Sequence, residues 1–252
     1  MAEIYLGTIA IEPARWAWMG EEPAPPIAIS EWLDRIADAG FDGIELWEPH
    51  VTQADDAEVA AVFEHPLPVR VFNTYVGFDD EADDGRDAAA DRICRSGATK
   101  AKWNTGAERN RESLAAYRAR LERLAAAVPD VELICECHDG SAMDDPAAAA
   151  EVLSAGSSAL FHTHDDLDTI RSKFAAYGDR LTHAHVNHLF TGSPRLADIR
   201  DELAEKVDLA RSLGFDGSWT IEFVHGTGTD QDEPELMFAQ AVEDLRVLRS
   251  LL

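Results

Sequence analysis

Short apolar, β-branched runs alternate with longer amphipathic stretches along all 252 residues of this chain. The short runs predict strands at roughly 3–10, 43–47, 68–74, 98–104, 131–138, 158–164, 181–187 and 218–224. Helical periodicity fills the intervals at Ser30–Ala39, Ala54–Phe63, Asp84–Ser96, Arg111–Ala127, Pro146–Ala155, Leu167–Tyr177, Leu196–Leu213 and Pro234–Leu251. Ser30, Asp145 and Asp166 are suited to capping helix N-termini, and Pro146 fits a first helical turn. Gly40 and Gly214 stand where helices end and a left-handed residue is wanted. Regular strand–helix alternation implies a parallel sheet. Eight such units in a chain of this length predict an α/β fold, a (β/α)8 TIM barrel, as a single domain over residues 1–252.

An internal echo supports that register. Gly40-Phe-Asp-Gly43 leads into Ile-Glu-Leu, and Gly214-Phe-Asp-Gly217 leads into Ser-Trp-Thr-Ile-Glu222. Both read as a glycine-terminated helix turning into a strand that carries a glutamate. The same corner is expected at strands two and eight, taken as neighbours when the barrel closes.

The second half of the chain carries acids and imidazoles at the predicted strand ends. Glu136 and His138 close the fifth strand, His162 and His164 the sixth. His183 and His185 lie in the seventh, and Glu222 in the eighth. Side chains at i and i+2 of a strand share a face, so each pair points to one side. Four adjacent parallel strands then gather these tips at one mouth of the barrel, where the reactive groups of this architecture sit. Carboxylates and imidazoles converging there suggest a divalent-metal site. Glu136 and Glu222 lead, because a carboxylate in an apolar strand is costly unless paired or bound to a cation. His185 follows, with His183 or Asn187 able to hold its second nitrogen. His162 and His164 both face inward by periodicity, and only one can have the right depth. His138 suits the surroundings of the ligands or the substrate.

Earlier strands add Glu45, Trp47 and His50, and Lys102 and Asn104, which end the fourth strand, are candidates for the same mouth although the period there is ambiguous. Trp16, Trp18, Trp47 and Trp103 fall at or beyond strand ends. An aromatic wall with polar neighbours suits the apolar face of a sugar ring. Arg15, Arg70 and Arg195 are candidates for holding an acidic substrate group.

Composition narrows the setting. Aspartate and glutamate total 48 against 22 lysines and arginines, a net charge of −26, and only four of the basic residues are lysine. Self-repulsion on this scale loosens a compact fold in dilute buffer and is screened in concentrated salt. The lysine-poor, alanine-rich make-up therefore suggests a halophile's protein, with an ordinary acidic bacterial protein as the second reading. Few basic contacts for phosphates argue against nucleic acid as a partner. No apolar run reaches the length of a membrane span. Met1-Ala-Glu-Ile-Tyr-Leu lacks a secretory start, and Cys94, Cys135 and Cys137 fit a reducing compartment, so a cytoplasmic location is expected. Cys135 and Cys137 alternate with Glu136 and should face the helices. Association into a homo-oligomer stays open.

At these residues the chain resembles the xylose-isomerase-like barrels, the sugar isomerase and epimerase superfamily that also includes the apurinic endonucleases. The resemblance covers almost the whole chain. It rests on Gly-Phe-Asp-Gly-Ile-Glu-Leu-Trp47, the Glu136-x-His138 of strand five, the histidine of strand seven and the late Glu222. It implies metal ligation by Glu136, His185 and Glu222, with a fourth ligand on strand six. The family places an aspartate there; this chain reads His162-Thr-His-Asp165, with His162 at the expected position. Two carboxylates with two imidazoles suit Mn²⁺, Zn²⁺, Fe²⁺ or Co²⁺ better than Mg²⁺. The implied activity is metal-dependent isomerisation or epimerisation of a small sugar or polyol derivative. A proton is moved next to a carbonyl through a metal-stabilised enediolate, with Glu136 and Glu222 as acid and base. His188 and Glu45 are then candidates for substrate hydroxyls. The alternatives are apurinic-endonuclease-like phosphodiester cleavage, whose Asp-x-His after strand seven is missing from 189–198, and a non-catalytic sugar-binding barrel.

Overall fold

The computed structural model describes residues 2–13, 15, 27–78, 83–137, 140–186, 193–229 and 231–252. Eight strands, β1 (Ile4–Gly7), β2 (Gly43–Trp47), β3 (Val69–Asn73), β4 (Lys100–Trp103), β5 (Glu132–Glu136), β6 (Ser158–His162), β7 (Leu181–Val186) and β8 (Ser218–Ile221), close into a barrel in chain order. Every neighbouring pair is parallel, including β8 with β1. Helices α1 (Ser30–Ala39), α2 (Pro49–Thr52), α3 (Asp56–Phe63), α4 (Asp83–Ser96), α5 (Arg111–Ala127), α6 (Pro146–Leu153), α7 (Leu167–Tyr177), α8 (Arg200–Ser212) and α9 (Pro234–Leu251) follow in order. The α/β (β/α)8 expectation therefore holds.

Two buried layers result from strand alternation. Outward residues such as Leu6, Leu46, Phe72, Cys135, Phe161 and Trp219 join helix residues such as Ile36, Leu121 and Leu245 in one continuous core. Cys137 belongs to the same layer, as alternation with Glu136 requires. Inside the barrel, Tyr5, Val71, Ile134 and Leu160 form a separate apolar floor. Polar side chains lie above that floor, toward the C-terminal mouth.

The repeated Gly-Phe-Asp-Gly corner is real in hydrogen bonds. Gly40 (φ 96°) and Gly214 (φ 93°) both take the left-handed conformation. In each copy the glycine N–H bonds three residues back and the phenylalanine N–H five back, to Ala37 and Ile36 in one and Arg211 and Ala210 in the other. The expectation that β2 and β8 become neighbours is corrected, because closure joins the first strand to the last. β1 lies between them and pairs with both.

Boundaries differ where side chains intervene. The first strand ends at Gly7, and Thr8–Ile11 form a 3-10 turn whose Thr8 hydroxyl accepts the Trp47 N–H at 2.9 Å. Asp145 and Asp166 cap α6 and α7 as expected. Ser30 does not cap α1. It lies in the first turn, where Glu58 of α3 takes its N–H at 2.9 Å and its hydroxyl at 2.5 Å. A carboxylate from a neighbouring helix thus does the work expected of the serine. The stretch 196–199 precedes α8 as a turn, held by the Leu196 N–H on Asp244 Oδ1 at 3.2 Å.

Candidate metal centre

The last inward positions of four strands, a mid-strand residue of a fifth and the residue just beyond a sixth build one polar cluster. Glu45 comes from β2, Lys102 from β4, Glu136 from β5, His162 from β6 and His185 from β7, with Glu222 immediately after β8. Glu136, His162, His185 and Glu222 each offer one nitrogen or oxygen, and those atoms lie within 4.8 Å of one another. His162 Nε2 is 3.0 Å from Glu136 Oε1. His185 Nδ1 is 2.9 Å from Glu222 Oε2 and 3.8 Å from Glu136 Oε1, and neither approach is a well-aligned hydrogen bond. Imidazole nitrogens and carboxylate oxygens from β5, β6, β7 and the end of β8 thus converge on one small volume, with His162 hydrogen-bonded to Glu136 and His185 ion-paired with Glu222. His162, His185 and Glu222 are buried, and Glu136 is half-buried.

The other nitrogen of His185 has a firm partner. Glu45 Oε2 is 3.1 Å from His185 Nε2 and 3.3 Å from His183 Nε2. His183 is further fixed by Ser218 Oγ at 2.8 Å and Thr220 Oγ1 at 3.0 Å. A carboxylate behind a histidine sets its tautomer and turns its free nitrogen toward the metal position. That partner was expected to be His183 or Asn187. It is Glu45, and Asn187 lies outside the described residues. Glu45 had been assigned to substrate hydroxyls, but it is mid-strand, in register with Gly7 and Val71, so it sits too deep at 1 % exposure.

Lys102 fills the opposite side. Its Nζ lies 2.8 Å from Glu136 Oε2, 3.2 Å from Glu222 Oε1 and 3.7 Å from Glu45 Oε1. Burial pushes the Glu136 carboxyl up, but Lys102 and then His162 and His185 hold it well below the usual range. Glu45 and Glu222 are lowered in the same way, burial being outweighed by His185 and Lys102. Burial drives His162 and His183 down to about 4, so both are neutral at pH 7. His185 goes the other way: despite burial, Glu222 and Glu45 push it up to about 10. Three carboxylates against one ammonium leave two negative charges, which a divalent cation would balance. The protein alone answers part of that deficit by protonating His185. Two oxygens, two nitrogens and a residual charge of this sign fit a divalent metal.

The remaining sequence candidates separate clearly. On β6, His162 joins the cluster. His164 stands at the rim, its ring tilted against His162 at 4.7 Å, and Asp165 is engaged by Lys173 at 2.7 Å. Trp47 and His50 pack edge to face at 5.3 Å beside the mouth, both buried. Trp103, expected in the aromatic wall, faces the helices. Lys102 takes the inward position of β4, so alternation turns Trp103 outward, where its Nε1–H donates to Ser157 Oγ at 2.9 Å. Arg15 is committed to Asp232 at 2.9 Å. Trp16, Trp18, His138 and His188 lie outside the described residues.

Lys102 does point into the mouth, one of the two directions its ambiguous period allows, but its three carboxylate partners were not legible in the sequence, although a signal was present. In a chain with four lysines, two stand at i and i+2 on one strand. Sequence reasoning also passed over Tyr75, whose hydroxyl titration burial pushes up and which feels Lys102, Glu136 and Glu222. Tyr75 and Asn104 border a cavity of about 700 Å³ that runs between the ends of β3 and β4 toward Tyr117 and Arg120.

No known family model and no curated protein matches the sequence. Solved structures do match over nearly the whole chain. A xylose isomerase domain containing protein from Salmonella typhimurium superposes with a TM-score of 0.67 at 14 % identity, covering 99 % of this chain and 96 % of that one. The probable 3-DHS dehydratase of Bacillus anthracis gives 0.66 at 14 %, covering 98 % of each. The 3-keto-D-glucoside 4-epimerase of E. coli gives 0.61 at 16 %, covering 99 % and 100 %. Two further matches are endonuclease IV of Thermus thermophilus (0.62, 14 %) and the zinc-bound IOLI protein (0.58, 11 %), each covering at least 99 % of this chain. At these identities the likeness establishes the shared barrel.

Proposed function

We propose that this protein is a divalent-metal-dependent enzyme that isomerises or epimerises a small sugar or polyol derivative. The observation that carries the proposal is the convergence of Glu136 and Glu222 on one cluster with His162 and His185. Those four would hold the ion, and the mixed nitrogen and oxygen set favours Mn²⁺, Zn²⁺, Fe²⁺ or Co²⁺ over Mg²⁺. A bound divalent ion supplies positive charge that polarises the substrate's carbonyl and hydroxyl oxygens and acidifies the neighbouring C–H.

The chain's own residues supply the proton traffic. Both glutamates are ionised at neutral pH, held so by Lys102 and His185. One takes the proton beside the carbonyl. In isomerisation that same carboxyl returns it to the adjacent carbon, whereas in epimerisation the other glutamate first takes up a proton from water and then delivers it to the opposite face. Glu45 keeps His185 in orientation. Trp47, His50, His138 and His188 remain candidates for the substrate wall, and the cavity beside Tyr75 and Asn104 offers room for the part of the substrate away from the reacting carbon. The barrel also matches solved structures named as a sugar epimerase and a zinc-bound protein. Phosphodiester cleavage, in the manner of the endonuclease match, fits less well because a net charge of −26 repels a polyanion.

The test is a panel of aldoses, ketoses and keto-glycosides incubated with metal-loaded protein in D₂O. We expect deuterium to enter next to a carbonyl for at least one sugar. Glu136→Gln and Glu222→Gln should each lower that exchange by about 10²–10⁴-fold. Unchanged exchange in both variants rejects the assigned roles.

A further inference from the structure

Three carboxylates surround Lys102, and each divides its two oxygens the same way. Glu136 gives Oε1 to the imidazoles, 3.0 Å from His162 Nε2, and Oε2 to Lys102 Nζ at 2.8 Å. Glu222 gives Oε2 to His185 Nδ1 at 2.9 Å and Oε1 to Lys102 at 3.2 Å. Glu45 gives Oε2 to His185 Nε2 at 3.1 Å and Oε1 to Lys102 at 3.7 Å. The centre therefore has two faces. One mixes imidazole nitrogens with carboxylate oxygens; the other is all oxygen and holds an ammonium.

A lysine head group carries three N–H donors and no acceptor. Here it pairs closely with Glu136 and Glu222, and the Glu45 oxygen stands farther off at 3.7 Å as a charge partner without a hydrogen bond. Three carboxylate oxygens meeting at one point would also attract a hard dication. Lys102 reaches that point from inside the barrel wall with its side chain 1 % exposed. We infer that Lys102 is a built-in second cation, which leaves each ligand glutamate one oxygen for the metal and keeps the centre mononuclear by occupying the place of a second divalent ion. The inference rests on the metal reading proposed above and adds to it. A mononuclear centre suits polarisation of a carbonyl. It closes the site to chemistry that needs two metal ions to clamp the attacking and leaving oxygens. Lys102 is thus a positioning residue that also sets the metal count.

Metal counting tests this without reference to activity. Metal-free protein is titrated with Mn²⁺ by calorimetry, and retained manganese is measured by elemental analysis after desalting. The wild type should hold one equivalent, and Lys102→Met, which keeps the length and removes the charge, should hold two. A purely structural ion pair would cost stability when broken but would not add a metal. A folded Lys102→Met variant that still holds one equivalent overturns the inference while leaving the metal reading intact. Should that variant not fold, the wild-type count decides: one equivalent supports the inference and two overturn it. No manganese in either protein defeats the metal reading and the inference with it.

Discussion

Glu45 shows how much of the cluster depends on a side chain buried behind it. It joins His185 and His183 on one edge and approaches Lys102 on the other, and it is 1 % exposed. Glu45→Gln should weaken metal binding by about 10–100-fold, as loss of a partner behind a ligand histidine commonly does, with the fold retained. A competition titration against a chelator reads this; unaltered affinity would remove Glu45 from the role. His50 gives a second prediction at this scale. Burial drives it down to about 3, the Thr8 backbone opposing only in part. Below pH 6.5 the unfolded chain takes up a proton that the folded one refuses until about pH 3. This group's contribution is therefore complete above pH 6.5 and is lost as pH falls, by about 1.4 kcal/mol per pH unit. Urea unfolding at pH 6.5 and 4.5 should show a smaller drop for His50→Gln than for the wild type, and equal drops would contradict the assignment. Glu136, His185 and Glu222 were legible because period-two alternation fixes which face a strand residue takes. Depth was not legible: alternation cannot tell Glu45, mid-strand, from Trp47 two residues nearer the mouth. Nor does alternation say whether a lysine in a strand points to solvent or into a ring of carboxylates.

At the scale of elements, caps and glycines matter most. Asp145 takes the N–H groups of Ala147 at 3.0 Å and Ala148 at 2.8 Å and so starts α6. Asp145→Ala should cost about 1 kcal/mol in urea unfolding, with metal content unchanged. A loss below measurement error would mean that Pro146 alone defines the helix start. The helices α1, α5, α7 and α9 begin and end where hydrophobic periodicity places them. Their ends carry local signals: left-handed glycine, aspartate or asparagine caps, or proline in the first turn. α8 begins later than its periodicity suggests, because the cause is remote. Asp244, on α9, captures the Leu196 N–H and holds 196–199 in a turn. The Ser30 expectation failed for the same reason, since Glu58 reaches it from another helix. Local chemistry is readable along the chain; contacts between distant elements are not.

For the whole molecule, closure and charge are the two determining facts. Closure pairs β8 with β1 and so brings β2, β4, β5, β6, β7 and the end of β8 around one axis. Separated in sequence by up to 177 residues between Glu45 and Glu222, these groups could not meet in an open sheet of the same order. Charge acts over the surface. With a net −26, melting temperature should rise between 0.1 and 2 M KCl, as the screening length drops from about 10 Å to below about 3 Å. Each kcal/mol of repulsion relieved is worth about 2–4 °C in a chain of this size. A flat or falling curve would show that surface ion pairs such as Arg35–Glu235 and Arg123–Asp87 outweigh the repulsion. The proposed chemistry requires one arrangement, four ligands from β5 to the end of β8 sharing a single ion. Anomalous scattering from crystals soaked in Mn²⁺ tests it most directly. One strong peak bonded to Glu136, His162, His185 and Glu222 is expected; no peak there, or a peak elsewhere in the barrel, would rule the arrangement out.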